Sequence, residues 1–417
     1  MATYLNDQEI VEAPTQSDTN IRADASDYRA AFLVGLVGWT LDACDFFLVV
    51  FLLTTIARDF HQSDGAIALS LTATLACRPI GGLVFGLLSD RYGRKKLLIA
   101  NLVLYSLVQL LTGMSTTFVG FLLARATFGV VMGGQWGVGT SLAMEKVPLR
   151  LRGLLSGLLQ QGYALGYLIA GFAYALFSGP WGWRILFVAT GVPAILTAIY
   201  LAFAVRESAA WEKGRSRSWV ELSQSLKANW KLFVFLVTFM LALHMSSHGT
   251  QDMYPTYLER QWGFAPWQKT ILTAVAMVGA IAGGLLFGHV SDRVGRRRSI
   301  MLALGAAICL VPLWAFAPSV GLLFGGAFLL QFCVQGAWGV VPAYVAELSP
   351  ASVRAFLPGF ANQCGVVLAS GIVYVEATFA HRLSYARAMA ICAVVVFFIA
   401  ILVTALGKEN PAPQLEG

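Results

Sequence analysis

The residues that could do chemistry are charged and amide side chains set into apolar stretches. His244, His248, Gln251, Asp252 and Pro255 recur at helical spacing on one face of an apolar segment, with Ser247, Thr250 and Thr256 among them. Such polarity fits the wall of a wet cavity, or a polar cap at the outer end of a helix. Asp42 and Asp45 share a face in Trp39-Thr-Leu-Asp42-Ala-Cys-Asp45-Phe46-Phe47. A carboxylate in the middle of a membrane span costs about 2.5–3.5 kcal/mol, so a cation must offset it or a proton must neutralise it. A carboxylate out of water favours its neutral form and can carry a proton near neutral pH. The alternative for this pair is a structural ion-pair network. The candidate cations are Arg78, followed by Pro79, and Arg125, in Arg125-xxx-Gly129-xxx-Gly133. Guanidinium is a rigid two-pronged donor for a carboxylate. Arg78 either grips a substrate anion or is the fixed partner of Asp42 or Asp45, and the roles could alternate. Arg125 faces a cavity or a partner, or snorkels to the outer interface. Gln160, Gln161, Asn362 and Gln363 can bind hydroxyl or carboxylate without adding charge, or tie helices together.

The elements that position these groups are membrane helices. Apolar residues make up 57% of the 417 and charged residues 12%, against roughly 45–50% and 25% in soluble proteins. Mean hydropathy is +0.69. Too few polar residues remain to cover a soluble surface. At about 20 residues per crossing, the apolar runs near 29–57, 65–88, 97–114, 118–143, 153–177, 183–205, 231–258, 268–289, 299–317, 320–345, 355–380 and 384–407 make twelve spans. The reading is an all-α integral membrane protein. A polar, disordered tail (1–28) without a signal-peptide core precedes a first six-span half (29–205). A linker (206–230), with a short surface helix around Trp219–Leu226, leads to the second half (231–407) and a tail (408–417).

The net charge of +7 is a matter of orientation and not of nucleic-acid binding. One side holds 21 of the 29 Lys and Arg: Arg22, Arg29, four after span 2, three after span 4, six in the linker, four after span 8, Arg354 and Lys408. The other side holds six, namely Arg58, Arg184, Arg260, Lys269, Arg382 and Arg387. Both termini are therefore expected in the cytoplasm. The six cysteines fall in apolar segments with no metal-ligand spacing.

The halves repeat. Gly86-xxx-Asp90-Arg91-x-Gly93-Arg94-Lys95-Lys96 follows span 2, and Gly288-xxx-Asp292-Arg293-x-Gly295-Arg296-Arg297-Arg298 follows span 8, at an offset of 202. The same offset carries Trp136-Gly137-Val138 to Trp338-Gly339-Val340, Glu145 to Glu347, Arg152 to Arg354, and Asp42 to His244. Duplicated membrane halves are a transporter design, with the site between them near mid-membrane. Asp90 and Asp292 could sit at a helix N-terminus or pair with a cation. Such contacts could lock one side shut and would break when it opens; plain topogenic charge needs neither the acid nor the glycines.

The doubled Gly-xxx-Asp-Arg-x-Gly-Arg-basic loop is the signature of the major facilitator superfamily, which the chain resembles over nearly its full length. The segment from Ser247 to Thr256 resembles the pattern N-xx-[ST]-H-x-[ST]-Q-D-xxx-T of the sialic-acid/lactate proton-symporter branch, departing at His244, where the pattern has asparagine. The resemblance implies proton coupling at Arg125, alongside the acids Asp42, Asp45 and Asp252. It implies substrate contacts at Gln363, alongside Arg78, His248, Gln251, Asn362, Gln160 and Gln161. It implies gating at Gly86, Asp90, Arg91, Gly93 and Arg94 and at Asp292, Arg293, Gly295 and Arg296.

No GxxxxGK[ST], HExxH or nucleic-acid module occurs. No enzyme activity, cofactor or metal is expected, and the partners are an organic anion, protons and membrane lipid. The reading is a proton-coupled symporter importing a small organic acid anion across a bacterial inner membrane by alternating access, as a monomer. A monocarboxylate such as lactate or pyruvate comes first. The alternatives are a sialic-acid or aromatic-acid symporter, or an efflux or exchange carrier on the same fold.

Overall fold

The computed structural model describes residues 16–177, 182–216, 218–380 and 382–409. The described residues form helices, with no strand among them. Among the described residues, eleven helices are long and apolar enough to cross a membrane. The remaining crossing, span 5, is made of two pieces, Arg152–Gln160 and Gly162–Phe177. The other spans of the first half are Gln16–Asp59, Asp64–Tyr92, Arg94–Met114, Phe118–Lys146 and Gly182–Ala204. Those of the second half are span 7 (Trp230–Gln251 and Tyr254–Trp262), Pro266–Val294, Arg296–Ala315, Val320–Leu348, span 11 (Phe356–Ala369 and Ile372–Ala380) and Tyr385–Leu406.

Several edges differ from the sequence reading for physical reasons. Residues 1–15 and 410–417 of the expected tails lie outside the described residues, and the helix of span 1 begins at Gln16, inside the stretch assigned to the first tail, although its membrane-crossing part is Asp27–Asp59. Span 7 breaks after Gln251 because Pro255 offers no N–H to the carbonyl of Gln251 and its ring crowds that carbonyl. The signature segments are not loops. Span 2 stays helical through Asp90 and Arg91 to Tyr92, and span 3 starts at Arg94. The whole turn is Gly93, at φ 120°, repeated by Gly295 at φ 101°. L side chains rarely adopt that backbone, which accounts for the glycine. The linker holds Trp219–Ala228 and a second short helix, Ala209–Gly214, each started by a serine N-cap, Ser218 and Ser208.

Each half packs by the same scheme. Span 2 lies on span 4 as span 8 lies on span 10, span 3 on 6 as 9 on 12, and span 1 on 5 as 7 on 11. The halves meet crosswise, span 2 against 11 and span 5 against 8. Small residues set these approaches. A Cβ on Gly133 of span 4 would strike the Arg78 carbonyl oxygen, and one on Gly86 would come within 2.9 Å of the Phe356 Cα. Arg78 is thus held against span 4 by backbone contact, which fixes where its side chain starts.

Candidate functional site

A cavity of about 100 Å³ lies between the halves. Its floor and walls come from both. Trp39 and Phe46 enter from span 1, Arg78 from span 2, Trp136 from span 4, and Gln160 and Tyr163 from span 5. Opposite them stand His244, Ser247, His248 and Gln251 of span 7, Gln335 and Trp338 of span 10, and Asn362 of span 11. The wall mixes aromatic side chains (Trp39, Phe46, Trp136, Tyr163 and Trp338) with polar ones. Arg78 is the one Lys or Arg lining it, and no carboxylate lines it.

The polar wall groups are largely committed to one another. Trp136 donates to Gln160 Oε1 at 3.2 Å, and Trp39 to the Gln160 carbonyl at 3.4 Å. Trp338 donates to Ser247 Oγ at 2.7 Å. His244 Nε2 meets Asn362 Oδ1 at 2.9 Å, and its ring lies 4.6 Å from that of Trp338. Gln251 Nε2 donates to Gln331 Oε1 at 2.9 Å. Arg78 differs. It is buried, its Nε has no hydrogen-bond partner, and it makes no hydrogen bond to Asp42, the acid whose charge acts on it. Asp42 Oδ2 is likewise without a partner. The cavity therefore presents a cation whose fork is free.

The remaining residues singled out in the sequence divide into groups. Asp45 and Arg125 form a fully buried pair at 2.6 Å, with the guanidinium 4.2 Å from the Phe128 ring centroid. Arg125 does not snorkel, and neither residue lines the cavity. Gln161 turns toward Gly284 of span 8, and Gln363 donates to the Gly133 carbonyl at 3.0 Å. Gln363 thereby bonds the halves together outside the cavity, whereas the Gln161 amide nitrogen packs against span 8 with no hydrogen-bond partner. Asp252 sits at the break of span 7, bonded to His248 Nδ1 at 2.9 Å, with its side chain 37% exposed. Along span 7, His244 and His248 are part-buried and Asp252 is exposed, so the Asp252 end is the more open one.

The opposite end is sealed by a doubled network. Asp90 accepts from the backbone N–H of Ala355 at 3.1 Å and of Phe356 at 2.9 Å, at the start of span 11, and is bonded to Arg94. Arg94 also reaches Glu145 at 3.3 Å and the Ala351 carbonyl at 2.8 Å. Glu145 in turn takes Arg354 of the other half at 3.2 Å. The repeat does the same. Asp292 accepts from the Gly153 N–H at 2.9 Å at the start of span 5, Arg296 bonds Asp292 and Glu347 at 2.8 and 3.0 Å, and Arg152 lies 3.6 Å from Glu347. Arg91 donates to the Ser216 carbonyl at 3.4 Å, and Arg293 is exposed at the end of span 8.

Sequence reasoning missed several participants. Glu207 accepts from the N–H groups of Arg94 and Lys95 at 3.1 and 3.2 Å, and Glu409 accepts from that of Arg297 at 3.1 Å. They are 202 residues apart, so extending the repeat would have found them. Trp39, Phe46, Trp136 and Trp338 stood in sequence motifs but not as site residues, because aromatics in an apolar span create no contrast.

The Major Facilitator Superfamily model matches residues 34–267, and a model described as Sugar (and other) transporter matches residues 232–408. The chain is 29% identical over 419 residues to the carboxylic acid transporter protein homolog of Saccharomyces cerevisiae, covering 91% of this chain and 68% of that one. It is 26% identical over 390 residues to the sialic acid transporter NanX of Escherichia coli, covering 92% and 94%. Its structure is similar to that of a proton:xylose symporter, with a TM-score of 0.73 at 17% identity over 93% and 97% of the two chains, a likeness of fold.

Proposed function

The chain belongs to the major facilitator superfamily, and we propose that it is a proton-coupled importer of a small organic acid anion, a monocarboxylate such as lactate or pyruvate first. One observation carries this reading: Arg78, with its fork free, is the one Lys or Arg on a cavity wall that holds no carboxylate. An anion leaving water needs a cation or several strong donors in its place, and a carboxylate fits the guanidinium fork. The relative described as a carboxylic acid transporter supports the same substrate class.

Asp42 supplies the coupling. Ionised, it competes with the substrate for Arg78 and repels it at close range. Protonated, it leaves the charge of Arg78 to the substrate. Proton and anion therefore load together without a separate mechanism. The excess of Lys and Arg at the sealed end supports a cytoplasmic location for it, and in that orientation the cavity faces outward and is ready to load. The monomer holds the whole site. The modest cavity, with its amides already bonded, favours a small acid over a bulky sugar acid, which keeps sialic acid second.

The test is uptake into proteoliposomes over a panel of monocarboxylates, sialic acid, aromatic acids and sugars. A small monocarboxylate should accumulate faster as external pH falls, and a protonophore should abolish accumulation. Transport indifferent to both would sink the reading.

A further inference from the structure

One acid lies outside everything above. Glu376, in the outer piece of span 11, is fully buried, and neither of its carboxylate oxygens has a hydrogen-bond partner. Its oxygen lies 3.4 Å from the Cβ position of Gly249 on span 7, where a side chain would press on it. The titratable groups facing it are Asp252 of span 7, which adds like charge, and Cys392 of span 12. Asp252 is itself bonded to His248. Arg387 of span 12 lines a different, apolar groove beside span 9. Among the described residues no cation meets Glu376.

A buried carboxylate with no cation, no donor and an acid beside it has one inexpensive state, the neutral one. Its position gives that state a use. The helix carrying it begins after the break at Ser370 and Gly371, so it can move apart from the inner piece of span 11. On its other side stands the Asp252–His248 pair, whose far end lines the cavity.

We propose that Glu376 is a second proton-carrying site, in the second half of the molecule, loaded in the conformation seen here. The proton comes from water at the open end through exposed Asp252 and forms an O–H bond on the Glu376 carboxylate. Once that end closes, the bond breaks. The proton returns to Asp252, passes to His248, and leaves to water in the cavity, now open to the other side. No electron moves, and Glu376 is regenerated as carboxylate before the next cycle.

The inference rests on the proton-symport reading and adds a countable consequence. One proton at Asp42 balances a monovalent anion, and a second at Glu376 makes each cycle carry one net positive charge. The experiment uses the full-length protein in proteoliposomes with L-lactate, or whichever monocarboxylate the uptake panel returns, driven separately by a pH gradient and by an inside-negative potential. Wild type should respond to both, with steady-state accumulation rising about tenfold for every 59 mV of potential. Glu376→Gln, close in shape and always neutral, should keep the pH-gradient response and lose the response to potential. Glu376→Asp should restore it in part. Infrared difference spectra should show a protonated carboxyl C=O band in wild type that Glu376→Gln removes. Equal responses to potential in wild type and Glu376→Gln, an electroneutral wild type, or an unchanged carboxyl band would each overturn the proposal. Loss of the pH-gradient response in wild type would instead overturn the symport reading, and the infrared arm still decides the state of Glu376.

Discussion

At the residue scale the account turns on Arg78. A lysine there keeps the charge but loses the fork, and a charge-assisted hydrogen bond is worth about 1.5–3 kcal/mol. Arg78→Lys should therefore weaken binding of the acid roughly 10- to 100-fold, measured by calorimetry on purified protein. Binding as tight as wild type would move the anchor elsewhere. Arg78, His248, Gln251 and Asn362 were legible in the sequence because a polar group within an apolar span stands out. Their contacts were not. Nothing in spacing distinguishes Gln160, which lines the cavity, from Gln161, which faces Gly284. Glu376 escaped because a single acid near a span's outer end carries no pattern and reads as an interfacial charge.

At the element scale the small residues of span 4 position the site. Thr74 Oγ1 donates to the Arg125 carbonyl at 3.0 Å, and Gly129 and Gly133 let the span 2 backbone lie directly on span 4. Gly133→Ala should force the spans apart at Arg78, costing about 1–3 kcal/mol by overpacking. It should lower the thermal unfolding midpoint in detergent and weaken acid binding together. Gly305→Ala, at a glycine with open space around it, is the control and should change neither. The existence of the helices was readable from hydropathy alone, since apolar length is what a membrane selects. Their breaks were harder to read. Pro255 and Gly371 interrupt spans 7 and 11, whereas Pro79 sits inside an unbroken span 2. Neighbouring helices decide which proline or glycine becomes a break.

At the scale of the whole molecule two six-span halves meet at one end, and that end is held by paired acids and arginines. The repeat at offset 202 made the participants legible, but not the crossing in which Glu145 takes Arg354 and Glu347 takes Arg152. We expect this seal to set the balance between the two open states. Asp90→Asn removes the charge that holds the first N–H groups of span 11 and the Arg94 guanidinium. It should shift the population toward the state open at that end, read as greater labelling of a cysteine placed at Ser352, with turnover reduced. Asp292→Asn should act in the same direction. Normal labelling and turnover in both variants would contradict a gating role.

The central claim is that Arg78 receives an organic anion only when a proton is taken up with it, at Asp42. Its most direct test is monocarboxylate uptake by wild type and Asp42→Asn under an imposed pH gradient, with exchange of labelled for unlabelled acid measured in parallel. Wild-type accumulation should follow the gradient. Asp42→Asn should still exchange, because its cavity keeps Arg78 free, but should accumulate the acid to a much lower level, having lost one of its two coupled protons. Gradient-driven accumulation by Asp42→Asn equal to wild type would contradict the account.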